Sequence, residues 1–273
     1  MLKLGFFLDS NTANNQVEDI LESTHHNCAG LWVQDSNAIL TGNLPQRFNC
    51  DEDLIACSDV AVIATNNDLK FELTSKTIKK GVTPILNNTQ GLSNSSLNQL
   101  QQLALEIGVN IEFCQLGFNF NDIELPISTP FITHLKRSIE SDIMNESTFR
   151  EILLYDLATA LKISKLDIRK VRAYSLPQYA TIPSNLFVMI DFCNSSVVSY
   201  TLQTNSSTSS LDIQISTSEK KHSYTISDRI LFQNSDIKSC IANISNNTKF
   251  SNNIDLALAA THLVDTVISK INQ

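Results

Sequence analysis

Apolar residues run unbroken through Val60-Ala61-Val62-Ile63-Ala64 and return at Pro84-Ile85-Leu86, while between them Leu69, Leu73, Thr74 and Ile78 recur at helical spacing. A continuous apolar run fits a parallel strand covered on both faces, and strand, helix and strand in about thirty residues make one βαβ unit. Asn66, Asn67 and Asp68 offer cap chemistry before the helix, Lys79 and Lys80 sit where its dipole favours cations, and Gly81 is placed to close it. The same pattern predicts strands at Lys3–Leu8 and Cys28–Val33. It predicts helices from Gln16 to Ser23, from Asp51 to Cys57, and from Ser93 or Asn94 to Gly108, the last lined by Leu97, Leu100, Ala104 and Ile107. Val109, Ile111 and Phe113 alternate as a further strand. Strands separated by helices predict a Rossmann-like, doubly wound parallel sheet over residues 1–118.

The remainder, 119–273, changes character. Phe131 to Ile143 reads as a helix, and Thr148 caps another whose buried stripe is Phe149, Ile152, Leu153, Leu157 and Ala160. Period-two runs follow at Lys170–Leu176, Leu186–Phe192, Val197–Gln203, Leu211–Ser216 and Tyr224–Ile226, parted by polar turns. A terminal helix starting near Ser251 shows Ile254, Ala257, Leu258, Thr261, Val264, Val267, Ile268 and Ile271 on one side. The expected second domain is α+β with a mainly antiparallel open sheet.

Composition narrows the function. The net charge of −8 and 20 scattered basic residues disfavour nucleic acid or an anionic membrane as partner. No apolar run approaches 18 residues, and Met1–Leu8 reads as a buried strand and not a signal peptide, so a cytoplasmic protein is expected. The six Cys show no C-x-x-C spacing and read as unpaired thiols, with no metal site expected. His25-His26 closes a helix with no third ligand near it; Asp51–Asp53 and Asp122–Glu124 read as solvated cap or loop carboxylates.

Ala64-Thr65-Asn66-Asn67-Asp68-Leu69-Lys70 is similar to the A-T-P-N-x-x-H-like loop of the Gfo/Idh/MocA oxidoreductases, relatives of glucose-fructose oxidoreductase and inositol dehydrogenase. Ile85-Leu86-Asn87-Asn88-Thr89 resembles the strand that runs into the family's E-K-P, and Phe149–Leu161 resembles the helix bearing D-x-x-x-H. Ile168–Ala173 resembles the strand after it. The resemblance implies a nucleotide-binding domain followed by a sheet domain whose open face packs on a second copy. It also implies NAD or NADP as cofactor and hydride transfer at a CH–OH group of a small sugar or polyol.

Position by position, the resemblance assigns substituted residues. The G-x-G-x-x-G glycines that would let backbone N–H groups reach a pyrophosphate fall, aligned on Gly5, at Leu8, Ser10 and Ala13, with Asp9 adding a negative charge. The acidic ribose ligand falls at Val33 or Gln34, with Asp35 just beyond; Asp35 reads either as that ligand or as a solvated loop residue. Thr65 and Asn67 fall at cofactor-loop positions. The catalytic Lys is implied at Asn88, the Asp and His at Glu151 and Tyr155, and the loop His at Lys70, which reads by itself as a solvated cation on a helix face. Asn cannot exchange a proton near neutral pH, and a positioned acid or base contributes roughly 10²–10⁴-fold. The expectation is therefore a diverged protein with impaired or lost dehydrogenase activity and weak or no cofactor binding, serving as a ligand-binding or assembly subunit. The alternative is an active NAD(P)-dependent enzyme using Tyr155 or Lys70 unconventionally. A homodimer through Phe187, Met189, Val198, Tyr200, Leu211 and Ile213 is expected.

Overall fold

A computed structural model describes residues 2–9, 27–34, 46–65, 67–114, 116–118, 130–140, 144–164, 167–227 and 253–273. The chain forms two compact units, Met1–Gln115 with Gln233–Leu258, and Leu116–Phe232 with Ala259–Gln273.

The first unit holds a five-stranded parallel sheet. Its strands are β1 (Lys3–Leu8), β2 (Asn27–Val33), β3 (Val60–Ala64), β4 (Thr83–Leu86) and β5 (Glu112–Phe113), in the order β2-β1-β3-β4-β5. Alternate strand residues separate into two apolar layers. Leu4, Phe6, Leu8, Leu31, Val33, Val60, Val62, Ala64 and Ile85 make one; Phe7, Ala61 and Ile63 join Leu54, Ile55, Leu73 and Val82 in the other. A sheet apolar on both faces is what a doubly wound fold requires. Gly5 is dictated by packing, since a Cβ there would stand 2.2 Å from Ser58 Oγ.

Among the described residues, three helices connect the strands: α1 (Asp51–Ala56), α2 (Asn67–Lys79) and α3 (Asn94–Ile107). Gly81, at φ 75°, follows α2 in the left-handed conformation that closes helices, and Gly108, at φ 79°, does the same for α3. Ser93 caps α3 by accepting from Ser96 N at 3.1 Å. Lys76 on α2 donates to Asp51 on α1 at 2.9 Å, and Asp51 with Glu72 holds its amine above the usual lysine range. The expected strand over Val109–Phe113 shortens to β5, since only Glu112 and Phe113 pair with β4, opposite Ile85 and Leu86. Asn253 works as a cap on β5, donating to Phe113 O and accepting from Phe113 N, each at 2.9 Å.

The second unit is a six-stranded mixed sheet of order β11-β10-β6-β9-β8-β7. Its strands are β6 (Ile132–Ser138), β7 (Ile168–Leu176), β8 (Asn185–Phe192), β9 (Val197–Gln203), β10 (Ser210–Ser216) and β11 (Lys221–Ser227). All neighbours are antiparallel except β6 and β9. The helix expected at Phe131–Ile143 is thus a strand. Thr133, Leu135 and Arg137 are buried in period two, and the charge at 137 hides the alternation because its partner lies on a helix. That helix is α4 (Glu146–Ser164). Its cap is Asn145, whose Oδ1 accepts from Thr148 N at 2.9 Å, so Thr148 lies in the first turn and does not cap it. Helix α5 (Ile254–Ile271) begins three residues after Ser251, which lies outside the described residues, as do 16–23, His25, His26, Asp122 and Glu124.

Candidate functional site

Open α/β sheets bind ligands beyond the carboxyl ends of their strands, at the point where strand order reverses. Here β1 is followed on one side by β2 and on the other by β3, so the switch point lies between β1 and β3. Leu8 pairs with Ala64 there, and Asp9 N donates to Ala64 O at 3.4 Å. On the next pair, Ile63 stands opposite Leu86. Two residues further along these strands come Thr65 and Asn88. Asp9, Thr65 and Asn88 therefore leave adjacent strands β1, β3 and β4 at one end of the sheet.

Their environments differ. Leu8 is 2% exposed and belongs to the apolar layer with Phe6 and Ala64. Asp9 is buried and has polar interactions. Thr65 is 4% exposed, and its Oγ1 has no hydrogen-bond partner among the described residues, a buried hydroxyl that a ligand oxygen or nitrogen would satisfy. Asn87 and Asn88 shape the turn after β4: Asn87 Oδ1 accepts from Asn88 N at 2.9 Å, and Asn88 Oδ1 accepts from Gln90 N at 3.1 Å.

Lys70 joins this cluster. Its side chain is 1% exposed, and its Nζ donates to Asn88 Oδ1 at 2.8 Å. The reading of Lys70 as a solvated cation is overturned: the buried stripe of α2 is Lys70, Leu73, Thr74, Thr77 and Ile78, at i, i+3, i+4, i+7 and i+8, with the lysine as its first member. That spacing was available in the sequence but is masked by the polar types at three of the five positions. Thr74 and Thr77 lie buried because their hydroxyls donate to the carbonyls of Lys70 (2.6 Å) and Leu73 (2.7 Å).

In the second unit, Glu151 and Tyr155 lie one turn apart on α4, both partly exposed and both engaged in interactions. Asp156, which the sequence reading passed over, is the literal acidic residue of an Asp156-x-x-x-Ala160 run on the same helix. It is fully buried and takes the Arg137 guanidinium in a two-point pair, Nε to Oδ2 at 3.0 Å and the second contact at 2.5 Å. The run has no proton carrier at 160. Asn67 is the first residue of α2; Ser10, Ala13 and Asp35 lie outside the described residues.

A dinucleotide finds an uneven fit. Thr65, Lys70 and Asn88 offer hydrogen-bonding groups suited to hydroxylated ligand parts. Leu8 is committed to the core and Asp9 is buried next to it, so neither position is the glycine that a diphosphate-cradling turn uses. Among the described residues, no group of three or more His, Cys, Asp or Glu could hold a metal ion. No helix of the described chain is long and apolar enough to cross a membrane.

Neither a protein-family model nor a curated protein sequence matches the chain. Solved structures do. A probable dehydrogenase from Thermotoga maritima superposes with a TM-score of 0.80 at 11% identity, over 98% of this chain and 96% of that one. A UDP-N-acetylglucosamine 3-dehydrogenase from Acidithiobacillus ferrooxidans gives 0.75 at 10%, over 99% and 98%. A scyllo-inositol dehydrogenase from Lactobacillus casei, solved with NAD(H) and scyllo-inositol bound, gives 0.76 at 10%, over 99% and 96%. The chain has the fold of these dehydrogenases. The architecture expected from the family resemblance, a Rossmann-like sheet followed by a mainly antiparallel one, is present over essentially the whole length.

Proposed function

We propose that the chain is a diverged oxidoreductase of the Gfo/Idh/MocA type that binds a small sugar or polyol at the strand ends of its first unit, with NAD(P)-dependent hydride transfer impaired or lost. One observation carries the reading. Leu8 is built into the core where a dinucleotide turn needs bare backbone, while Thr65, Lys70 and Asn88 keep hydrogen-bonding groups at the neighbouring strand ends. The polar end of the site is retained and the diphosphate end is not. Within it, Thr65 Oγ1 and the Lys70 amine would orient ligand oxygens.

The test is calorimetric titration with NADH and NADPH alongside a panel of sorbitol, glucose, inositols and UDP-N-acetylglucosamine. The expected result is millimolar or tighter binding of one panel member and no micromolar binding of either dinucleotide. Micromolar binding of a dinucleotide overturns the impaired state, and silence across the panel overturns the ligand assignment.

A second reading, an active NAD(P)-dependent enzyme acting on a CH–OH group, is favoured by one specific contact: Lys70 Nζ on Asn88 Oδ1 returns an amine to the end of β4. It predicts a change at the reduced-nicotinamide absorbance band with a panel member and either oxidised dinucleotide.

A further inference from the structure

The unpaired N–H and C=O groups along a sheet edge invite another strand, and natural proteins blunt such edges by keeping them short, covering them, or placing charge, proline or a bulge on them. Most edges of this chain are blunted. Outside β2, Leu31 N donates to Gln46 O at 2.9 Å and Phe48 N donates to Leu31 O at 2.8 Å, so a piece of chain covers that edge. Strand β5 is two residues long. Strand β11 turns Lys221, Ser223 and Thr225, all polar and exposed, to the open side of its sheet.

Strand β7 differs. It is nine residues long, and among the described residues nothing pairs with its outer edge. A bulge at Arg169 interrupts one end, which leaves Lys170–Leu176 in regular register with β8. Val171 and Ala173 stand opposite the buried Ile190 and Val188, so Lys170, Arg172, Tyr174 and Leu176 line the open side. Charge protects only the first half. The second half carries none and leaves Tyr174 and Leu176 62% and 64% exposed. Arg172 is committed to Asp191, whereas Arg169 and Lys170 are exposed and have no ion-pair partner among the described residues.

We propose that the outer edge of β7 takes up an extended segment of another protein as an added antiparallel strand. Main-chain hydrogen bonds supply the affinity of such an addition, and side chains at alternate positions supply its specificity. In antiparallel register the segment meets Leu176 first and Lys170 last. Its residues opposite Leu176 and Tyr174 are apolar, since cross-strand apolar and aromatic pairs stabilise a sheet. Its residues opposite Lys170 and beside Arg169 are acidic, matching the two unpaired cations. The added strand extends the sheet sideways and leaves Phe187 and Met189 on the open face to a second copy.

The test titrates the full chain into the fluorescein-labelled peptide Val-Thr-Val-Thr-Ser-Thr-Glu-Glu and follows its anisotropy. Saturable binding is expected. In an antiparallel pair only alternate residues point their N–H groups at the partner strand, so N-methylation of one alternate set of peptide residues should abolish binding and of the other should not. Lys170→Glu should weaken binding about three- to tenfold, because it turns an exposed attraction into a repulsion. The same variant should prefer the peptide ending in Lys-Lys, a reversal that a lysine serving only the fold would not give. Binding that survives N-methylation of either set, or that Lys170→Glu leaves unchanged, overturns the proposal. Silence of the peptide overturns it as well, and a mass by light scattering that falls in Leu176→Glu would then assign the edge to a second copy.

Discussion

Arg137 on β6 and Asp156 on α4 face each other as a two-point ion pair with both side chains fully out of water. Removing two charges from water costs several kcal/mol per ion, which the pair recovers only while both partners are present. Asp156→Asn or Arg137→Met alone is expected to destabilise the protein by about 3–5 kcal/mol, whereas Arg137→Met/Asp156→Leu together should come much closer to wild type. Urea unfolding of the four proteins checks this, and equal losses in single and double variants would refute it.

Gly117 and Gly81 share a left-handed backbone, at φ 74° and 75°, yet differ in their surroundings. A Cβ on Gly117 would come 2.6 Å from Thr159 N and 2.9 Å from Ala158 C of α4, while a Cβ on Gly81 meets nothing within 4 Å. The close approach at 117 is used: Phe118 N donates to Thr159 Oγ1 at 2.8 Å, and Lys162 Nζ donates to Gly117 O at 3.2 Å. Gly81→Ala should therefore cost only the backbone term, about 1–2 kcal/mol. Gly117→Ala should cost clearly more, because helix backbone cannot give way. Thermal melts of both variants compare them directly.

Cys28 is raised from the ordinary thiol value of 9.0 to about 11, because burial disfavours its thiolate, partly offset by a backbone hydrogen bond with Gly30. The thiolate is the reactive form. At pH 8, iodoacetamide should modify the exposed Cys50, Cys57 and Cys193 and leave Cys28 intact. The folded pKa exceeds the unfolded one, so the associated stability is fully present below pH 9 and is lost as pH rises through about 11. Peptide mapping after alkylation at stepped pH gives the answer. Early labelling of Cys28 in the folded protein would contradict the assignment.

The open face of the second sheet has an apolar end and a polar one. Tyr174, Phe187, Thr201, Lys136 and Asp212 form one cross-strand row, and Arg172, Met189, Ser199, His134 and Gln214 the next. Tyr174 is 62% exposed, and Phe187 and Met189 are only partly covered. Of the six residues expected on a dimer face, Val198, Tyr200, Leu211 and Ile213 instead face the core of their own unit. The apolar end remains a place for a second copy. We expect a homodimer by light scattering at micromolar concentration, converted to monomer by Met189→Glu. A monomeric wild type would rule this out.

Most of the fold was legible because its strands announce themselves. Val60–Ala64 is apolar on both sides, and β8 to β10 alternate. What escaped has one physical cause, polar atoms buried against partners distant in sequence. Ile132–Ser138 alternates only if Arg137 counts as an inside residue, and nothing local reveals that Asp156 neutralises it. Lys70 hid for the same reason, its acceptor lying 18 positions away on another strand. Leu8 was readable from the start, since a leucine ending a parallel strand belongs to the core. Leu8→Ala should accordingly cost about 2–5 kcal/mol, and it should bring no gain in NADH binding.

Strand β6 lies between β9 and β10, both of which come later in the chain. Ile132 pairs with Val197 and with Ser216, so its edges wait for partners 65 (197 − 132) and 84 (216 − 132) residues downstream. During synthesis on the ribosome this segment is therefore an open template on both sides, with Thr133, Leu135 and Arg137 not yet enclosed. Contacts this far apart slow folding, and unpaired edges invite association between nascent chains. The protein's yield in a cell should depend on the chaperones that meet it while Ser216 is still being made.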